Sequence, residues 1–506
     1  MLKSCIRPTA SATTRHGLYA SSSSSVTLLH TTTVRWNQQP KNSLTESSVP
    51  STKLGRFMQY GSLVASLSAG AASESLKRAV GVSQPLMVGA SPFLTQANVD
   101  RVVKTLTQMR GAALKLGQMV AIQDSGMFPK EIEQVLSQVQ AGANYMPRRQ
   151  MRAVMSSELG PQWQSKYATF EPVPFAAASI GQVHRATLHD GRAVAVKVQY
   201  PGVADSIDSD LAHLKSVGLM AGFLPKGLFL DNSMAVARRE LLWETDYLRE
   251  ATWMRRFHEQ LASHPLGQVL DAPEPIDDLT TAKVLTMTLV PGVALGNVAD
   301  MDLDARKLVA ETTLRLTLVE LFEWGYMQTD PNWSNFLYDP ATSRIKMLDF
   351  GSAREYSWGF LARYANVLEA AMNQDREGVL RWSEELGFLT GYETDAMRDA
   401  HVTAVLALGA PFTSETFDFG DARKVTGEVR DLIPTMLEYR LSPPPDETYS
   451  LHRKVSGVFL LCARLGVTLP CQQLLRDALA QFRGRQRRGE IPLPTEANRP
   501  RTAPLS

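Results

Sequence analysis

Only three cysteines, Cys5, Cys462 and Cys471, are scattered along 506 residues. So few and so widely spaced, they argue against a disulfide framework and a cysteine-rich zinc site. A surplus of charge is also lacking: the formal net charge is +2, so bulk electrostatics give no reason to expect nucleic acid as a partner. No run of about 18 or more apolar residues occurs, which leaves no clear membrane span. The nearest approach, Phe57 to Ala72, is interrupted by Gln59, Ser62, Ser66 and Ser68. Its Gly61, Ala65, Ser66 and Gly70 suit either helix packing in lipid or an ordinary joining helix. Acidic residues are missing altogether from residues 1–45, where Lys3, Arg7, Arg15, Arg35 and Lys41 sit among many Ser and Thr. An acid-free, Arg-containing, Ser-rich leader has the composition of a mitochondrial transit peptide, a disordered tail being the plainer alternative. No internal repeat is evident.

What is present is a constellation of charged residues at telling spacings. Gln328-Thr329-Asp330-Pro331-Asn332-Trp333-Ser334-Asn335 is followed by Leu348-Asp349-Phe350-Gly351. An Asp with an Asn five positions on, then Asp-Phe-Gly, is the base-and-metal apparatus of phosphoryl transfer on a kinase fold. Asp330 takes the place of the base or water-orienting group, and Asn335 and Asp349 that of the Mg²⁺ ligands. Such chemistry asks for positioned metals, a base and a cation around a triphosphate. The cation lies upstream. His189-Asp190-Gly191-Arg192 reads as a tight hairpin turn, and Ala193 to Gln199 as a strand whose period of two puts Val194, Val196 and Val198 on one face. Lys197 then projects from the other face, where it can meet phosphates. A solvated edge lysine is the usual alternative, disfavoured here by the company of Asp330, Asn335 and Asp349.

A lysine in that role needs a carboxylate. Ser233 to about His258 reads as one long helix carrying Glu240, Glu244, Asp246 and Glu250. Glu244 and Glu250 point in different directions at about 3.6 residues per turn, so at most one pairs closely with Lys197. The spacing does not choose; our reading takes Glu250 as the partner and Glu244 with Asp246 as a second cluster. Ahead of the hairpin, where a protein kinase carries Gly-x-Gly-x-x-Gly, stands Pro174-Phe175-Ala176-Ala177-Ala178-Ser179-Ile180-Gly181. Ala176, Ala177, Ala178 and Ser179 form the nucleotide loop in this reading, with less backbone freedom than glycines allow. Further upstream, Val102, Val103, Leu106, Met109, Ala113, Leu116 and Val120 make the apolar stripe of an amphipathic helix. Gly111, Lys115 and Gln118 share its opposite side.

Lys115-Leu116-Gly117-Gln118, Ala176-Ala177-Ala178-Ser179, Glu244-Thr245-Asp246 and Gln328 to Asn335 together resemble the UbiB-type atypical kinases. Within them the similarity is greatest to the mitochondrial branch that supports coenzyme Q biosynthesis, the ADCK group. It spans roughly Val102 to Leu475. The resemblance implies an α+β, two-lobed, atypical protein-kinase-like fold with an added N-terminal helical extension. It also implies ATP and Mg²⁺ as cofactors, a site for a protein substrate covered by that extension, and Lys115 and Gln118 reaching toward Glu244 and Asp246. The expected function is an atypical kinase or ATPase acting on a small molecule or lipid, or by ATP hydrolysis alone. A catalytically weak nucleotide-binding scaffold is the alternative, kept open by the alanine loop and by Gln328-Thr329 where kinases carry His-Arg. An ordinary Ser/Thr kinase is disfavoured, because no Ala-Pro-Glu segment follows Gly351. The implied partners are nucleotide, coenzyme Q biosynthetic proteins and inner-membrane lipids on the matrix side, with a second copy of the chain left open.

The organisation expected is a transit peptide at 1–50, a linker at 51–95 with an optional membrane-associated segment, and the helical extension at 96–160. A small lobe with the nucleotide loop follows at 165–290, a helical lobe at 291–480, and a basic, Pro-rich tail at 481–506. Val284 to Val290 is the last strand of the small lobe, which makes Met287, Thr288, Leu289 and Val290 the hinge candidates for adenine. Glu311 to Tyr326 reads as an apolar helix leading into the catalytic loop. Arg483 to Arg488 is a short basic patch for which anionic lipid is one partner and water the usual one.

Overall fold

The computed structural model describes residues 45–46, 53–79, 97–98, 100–101, 104–105, 144–220, 229–421 and 423–495. Lys115 and Gln118 lie outside the described residues, as do nearly all of 1–50 and most of the 96–160 extension.

The small lobe is a five-stranded antiparallel sheet. Its strands are β1 (Thr169–Phe170), β2 (Ala176–Ala177), β3 (Gly181–Thr187), β4 (Ala193–Gln199) and, after the short β5 (Leu270–Asp271) of another sheet, β6 (Val284–Thr288). The order is β1-β3-β4-β6, with β2 beside β3. The turn between β3 and β4 closes as the Asp-Gly pair predicts. Leu188 N–H donates to Arg192 O at 2.9 Å, Asp190 caps the Arg192 amide at 3.0 Å, and Gly191 takes a φ of +87°. Val194, Val196 and Val198 are wholly buried on one face of β4, and Ala195, Lys197 and Gln199 on the other are nearly so. Both faces of this strand are therefore covered, where the alternation predicts a simple core face and cleft face.

The helix expected over Ser233 to His258 is two helices. The first spans Leu230–Glu244 and the second Tyr247–Ser263. Asp246 breaks them: its backbone is extended and its carboxylate accepts from the Arg249 amide, the N-cap geometry that Asp favours over helix interior. The second helix then buries Tyr247, Glu250, Ala251, Met254, Phe257 and Leu261 along one stripe.

In the helical lobe, a helix capped by Asp302 runs Leu303–Val319 and loosens into a π-helical turn over Glu320–Trp324. It stops short of Tyr326 because Gly325 adopts a φ of +73°, and a Cβ there would meet Trp358 at 2.7 Å. Tyr326–Gln328 is instead a strand, paired with Ala353–Glu355. Beside it Phe336–Asp339 and Arg344–Met347 form an antiparallel hairpin. Helices Trp358–Met372, Arg376–Leu386, Asp395–Gly409, Arg423–Tyr439, Asp446–Leu465 and Cys471–Arg487 complete the lobe.

The apolar segment 57–72 lies within the helix Lys53–Ala79, whose Tyr60, Leu63, Leu67 and Ala71 are buried. Tyr60 stacks on His213 of the helix Val203–Met220, with ring centroids 4.4 Å apart. No helix among the described residues is long and apolar enough to cross a membrane.

Three histidines are built into the interior as neutral groups. Burial lowers His184 to about 4, against the pull of a bond to the Glu171 carbonyl, and lowers His401 to about 3 and His452 to about 4. The unfolded chain binds these protons near pH 6.5 and the folded chain does not. Stability is thus full above about pH 6.5 and falls as the pH drops toward 4. Between pH 7 and 5 each histidine should cost about 2 kcal/mol, so the melting temperature should fall across that interval. A melting temperature independent of pH over the same range would contradict this account.

Candidate active site

Strand β4 delivers Lys197 to the centre of the site, with 5 % of the residue exposed. Its ammonium donates to both Glu250 carboxylate oxygens, at 2.8 and 3.0 Å, and to Asp349 Oδ2 at 3.1 Å. The Tyr247 ring lies 5.1 Å from the ammonium. Burial alone would lower the lysine's pKa, but the charges of Asp349 and Glu250 outweigh it and hold it well above the ordinary value. Burial pushes the Glu250 carboxyl up, against the pull of Lys197. Because the ammonium engages both carboxylate oxygens, the ionised pair is the state the geometry favours.

The ladder of the Phe336–Asp339 and Arg344–Met347 hairpin explains why Asn335 and Asp349 belong together. Phe336 faces Met347, and one step beyond the strands the Leu348 amide donates to Asn335 O at 2.8 Å. Asp349 Oδ1 accepts the Gly351 amide at 3.0 Å. Phe350 is fully buried 5.1 Å from the Phe257 ring, and Arg249 grips the carbonyls of Gly351 and Ala353. The helix carrying Glu250 is therefore tied to Asp-Phe-Gly and the residues just after it at two positions, Arg249 and Phe257. Glu244 is buried as well. A Cβ on Gly351 would stand 3.3 Å from Glu244 Cγ and 3.4 Å from Asp349 Oδ1. Asp246 sits apart from Lys197, exposed, as the cap of the Glu250 helix.

Asp330 follows the strand Tyr326–Gln328 and is 8 % exposed, its Oδ1 accepting the Asn332 amide at 3.1 Å. Thr329 Oγ1 donates to Ser352 O at 2.8 Å, which fastens this loop to the segment after Gly351. Beneath it lies a charge cluster that the sequence reading missed. Lys454 Nζ donates to Gln328 Oε1 at 2.9 Å, and Glu320 Oε1 accepts the Gln328 amide at 3.0 Å. Burial lowers Lys454, with Glu320 and Asp330 pulling the other way. Arg453 Nη2 donates to Glu240 Oε2 at 2.7 Å, both side chains being buried. The signal was present as an adjacent Arg-Lys pair inside a mostly apolar helical stretch, Leu451 to Leu465.

Ala176 and Ala177 pair with Val183 and Gln182, and the Ala178 amide donates to Gly181 O at 2.8 Å, so the alanine loop is a tight hairpin with Ser179 and Ile180 at its tip. None of its residues has a positive φ, which is why alanine is tolerated there. Gly181 is different: a Cβ would approach Val198 O to 2.6 Å and Tyr247 Oη to 2.8 Å. Of the hinge residues, Met287 and Thr288 pair with Ala195 and Val194, and the Leu289 amide donates to Ala193 O at 3.0 Å. Val290 is half-buried at the strand's end.

The Asp349 carboxylate and the Asn335 amide are hard oxygen donors that suit Mg²⁺. The Asn335 amide nitrogen is buried without a hydrogen-bond partner, so the protein does not tie that amide down. Among the described residues no three His, Cys, Asp or Glu side chains are grouped to hold a metal alone. A divalent ion here would complete its shell with phosphate and water oxygens.

A small antiparallel sheet with its lysine–glutamate pair, set against a helical lobe with Asp330, Asn335 and Asp349, is a protein-kinase-like fold. The ABC1 atypical kinase-like domain matches residues 138–383. The chain is 45% identical over 450 residues to the atypical kinase COQ8B, mitochondrial, of Rattus norvegicus, covering 89% of this chain and 84% of that one. It is 43% identical over 446 residues to the atypical kinase COQ8, mitochondrial, of Saccharomyces cerevisiae, covering 88% of each. Among solved structures it is similar to Rv3197 of Mycobacterium tuberculosis, solved with erythromycin. The TM-score is 0.51 and the identity 22%, over 75% of this chain and 95% of that one, a likeness of fold alone. The chain belongs to the ABC1 atypical kinase-like family.

Removing Lys197 would leave the buried Glu250 carboxylate uncompensated and take from Asp349 its cationic partner. Lys197→Met should therefore cost about 3–5 kcal/mol of stability, and Lys197→Met combined with Glu250→Leu should cost less than Lys197→Met alone. Denaturant unfolding of the parent and the two variants checks this, and a loss in the double variant equal to or greater than that of Lys197→Met alone would contradict it.

Proposed function

We propose that the chain is a Mg-ATP-dependent atypical kinase or ATPase that supports coenzyme Q biosynthesis in mitochondria. The observation that carries the reading is Lys197 held between Glu250 and Asp349, with Asn335 alongside. Lys197 contacts the α- and β-phosphates, and Glu250 keeps its ammonium charged and aimed. Asp349 and Asn335 hold Mg²⁺, which when bound neutralises charge on the phosphates. Asp330 orients the attacking hydroxyl or water and accepts its proton. Lys454 and Arg453 lie near enough to favour the Asp330 carboxylate, since each feels its charge.

The alanine hairpin, Ala176 to Ser179, covers the nucleotide. The amides of Thr288 and Leu289 are spent on the carbonyls of Glu274 and Ala193. Backbone recognition of adenine along Met287 to Val290 therefore falls to carbonyls and to Val290. Glu244 belongs with the catalytic group, and Asp246, with Lys115 and Gln118, makes the regulatory motif. The acid-free leader and the mitochondrial names of the relatives support import into mitochondria. A matrix-side position at the inner membrane, with coenzyme Q biosynthetic proteins and lipids as partners, accords with a very hydrophobic pathway.

Phosphate release from Mg-ATP by the purified chain, with and without lipid vesicles, tests the reading. Asp330→Asn should lower turnover at least about a hundredfold while leaving nucleotide binding in place. Asp349→Asn should remove the Mg²⁺ dependence of nucleotide affinity. Nucleotide binding with no Asp330-dependent turnover under either condition would instead assign a scaffold. In the hairpin, Ala178→Gly should shift the ratio of ATP to ADP affinity by adding backbone freedom; equal ratios in parent and variant would refute a nucleotide role for this loop.

A further inference from the structure

The helical lobe contains a cavity of about 290 Å³, close to the lower limit of small-molecule sites at about 300 Å³. Its walls come from the helices Trp358–Met372, Asp395–Gly409, Arg423–Tyr439 and Asp446–Leu465. None of the nucleotide-site residues lines it. Most of the lining is aliphatic or aromatic, and Leu408, 37 % exposed, marks a side open to solvent.

One strong charge lines this apolar space. Arg440 is half-buried, and its Nη1, itself buried, has no hydrogen-bond partner. A guanidinium nitrogen left in that state is costly unless an acceptor completes it. The titratable groups around it supply none. His401 donates or accepts at Ser383 Oγ, 2.9 Å away, and His452 stacks on Phe388 with centroids 5.5 Å apart. Glu393 is the nearby acid whose charge Arg440 feels, along with Tyr449. Its two carboxylate oxygens are occupied by the Thr390 amide and hydroxyl and the Gly391 amide. The local field is therefore positive, in a chamber lined mostly by apolar groups.

We propose that this cavity binds a monoanionic amphiphile of the fatty-acid class. The carboxylate completes Arg440, a charge-assisted contact. The chain lies along Leu368, Val405, Leu408, Phe412 and Val455. Asp446–Leu465 is the shared wall: Thr448, His452 and Val455 turn to the cavity, while Lys454 reaches Gln328, two residues before Asp330, and Arg453 pairs with Glu240. Occupancy thus acts on the helix that underlies Asp330.

Isothermal titration of the full chain with decanoate, decan-1-ol and decylammonium tests the site, with thermal unfolding as a second readout. Decanoate should bind saturably at one per chain and raise the melting temperature, decan-1-ol should bind at least tenfold more weakly, and decylammonium should not bind. Arg440→Gln should weaken decanoate at least tenfold, and Arg440→Lys should retain most of the affinity, which also guards against a folding defect. Ala404→Leu, which fills the chamber, should weaken decanoate and decan-1-ol together. Asp349→Asn should leave decanoate binding unchanged, separating this site from the nucleotide reading. No saturable decanoate binding, or equal affinity for the three probes, or equal decanoate affinity in the parent and Arg440→Gln, would overturn the proposal.

Discussion

Three charges meet where strand, helix and loop converge: the Lys197 ammonium, the Glu250 carboxylate and the Asp349 carboxylate. Glu250 is completely buried and Lys197 nearly so, so neither could remain ionised without the other. That mutual requirement fixes geometry across a long span of chain. Lys197 sits on a strand whose register is set by seven pairs with its neighbour β3. Glu250 sits in the first turn of a helix that Asp246 starts, and Asp349 follows a hairpin that ends opposite Asn335. The apolar contact of Phe257 with Phe350 and the grip of Arg249 on Gly351 and Ala353 reinforce one arrangement of helix and loop. Ionic and apolar contacts therefore favour the same placement, and a shift of the helix would cost both.

The loop that carries Asp330 is supported from below by a buried charge cluster. Gln328 stands where a His is usual, and it is held on both sides: its amide by Glu320 and its side chain by Lys454. Glu320 is available for this because the helix before it widens into a π-turn, a feature that often marks functional sites. Gly325 then reverses the chain into the strand that carries Gln328. The alanine hairpin departs in a parallel way from the glycine-rich loop of protein kinases. Its backbone needs no left-handed residue, so alanines replace glycines without strain, whereas Gly181 remains because Val198 O and Tyr247 Oη leave no room for a side chain.

What the sequence discloses here follows from range. The Asp-Gly turn, the Val-rich strand and the spacing of Asp330, Asn335 and Asp349 are local patterns, and local patterns survive translation into structure. The choice of Glu250 over Glu244 was not local: the two fall on different helices either side of the break at Asp246, and only packing of the second helix on the sheet brings Glu250 to Lys197. The single helix expected over Ser233 to His258 failed because its apolar spacing continues across Asp246, while the cap that splits it is a single side chain. Arg453 and Lys454 escaped notice for a related reason. They reach the loop from more than a hundred residues downstream, and a charged pair in an apolar helix reads first as a solvated edge.

The two carboxylates around Lys197 are not equivalent, and the difference suggests how they divide their work. The Glu250 side chain is wholly enclosed, and both its oxygens face the ammonium. It has no surface left to offer a ligand, so its contribution is confined to holding Lys197 charged and in place. The Asp349 side chain retains 30 % exposure and gives one oxygen to Lys197 and the other to the Gly351 amide. An ionised carboxylate has about four lone-pair positions, so those two bonds leave it capacity for a cation on its open side. Because Glu250 already balances the lysine, Asp349 can turn its charge toward a metal without stranding a buried ammonium. The same pair of acids could not exchange roles: the enclosed one cannot reach a metal, and the open one alone would hold the lysine less tightly.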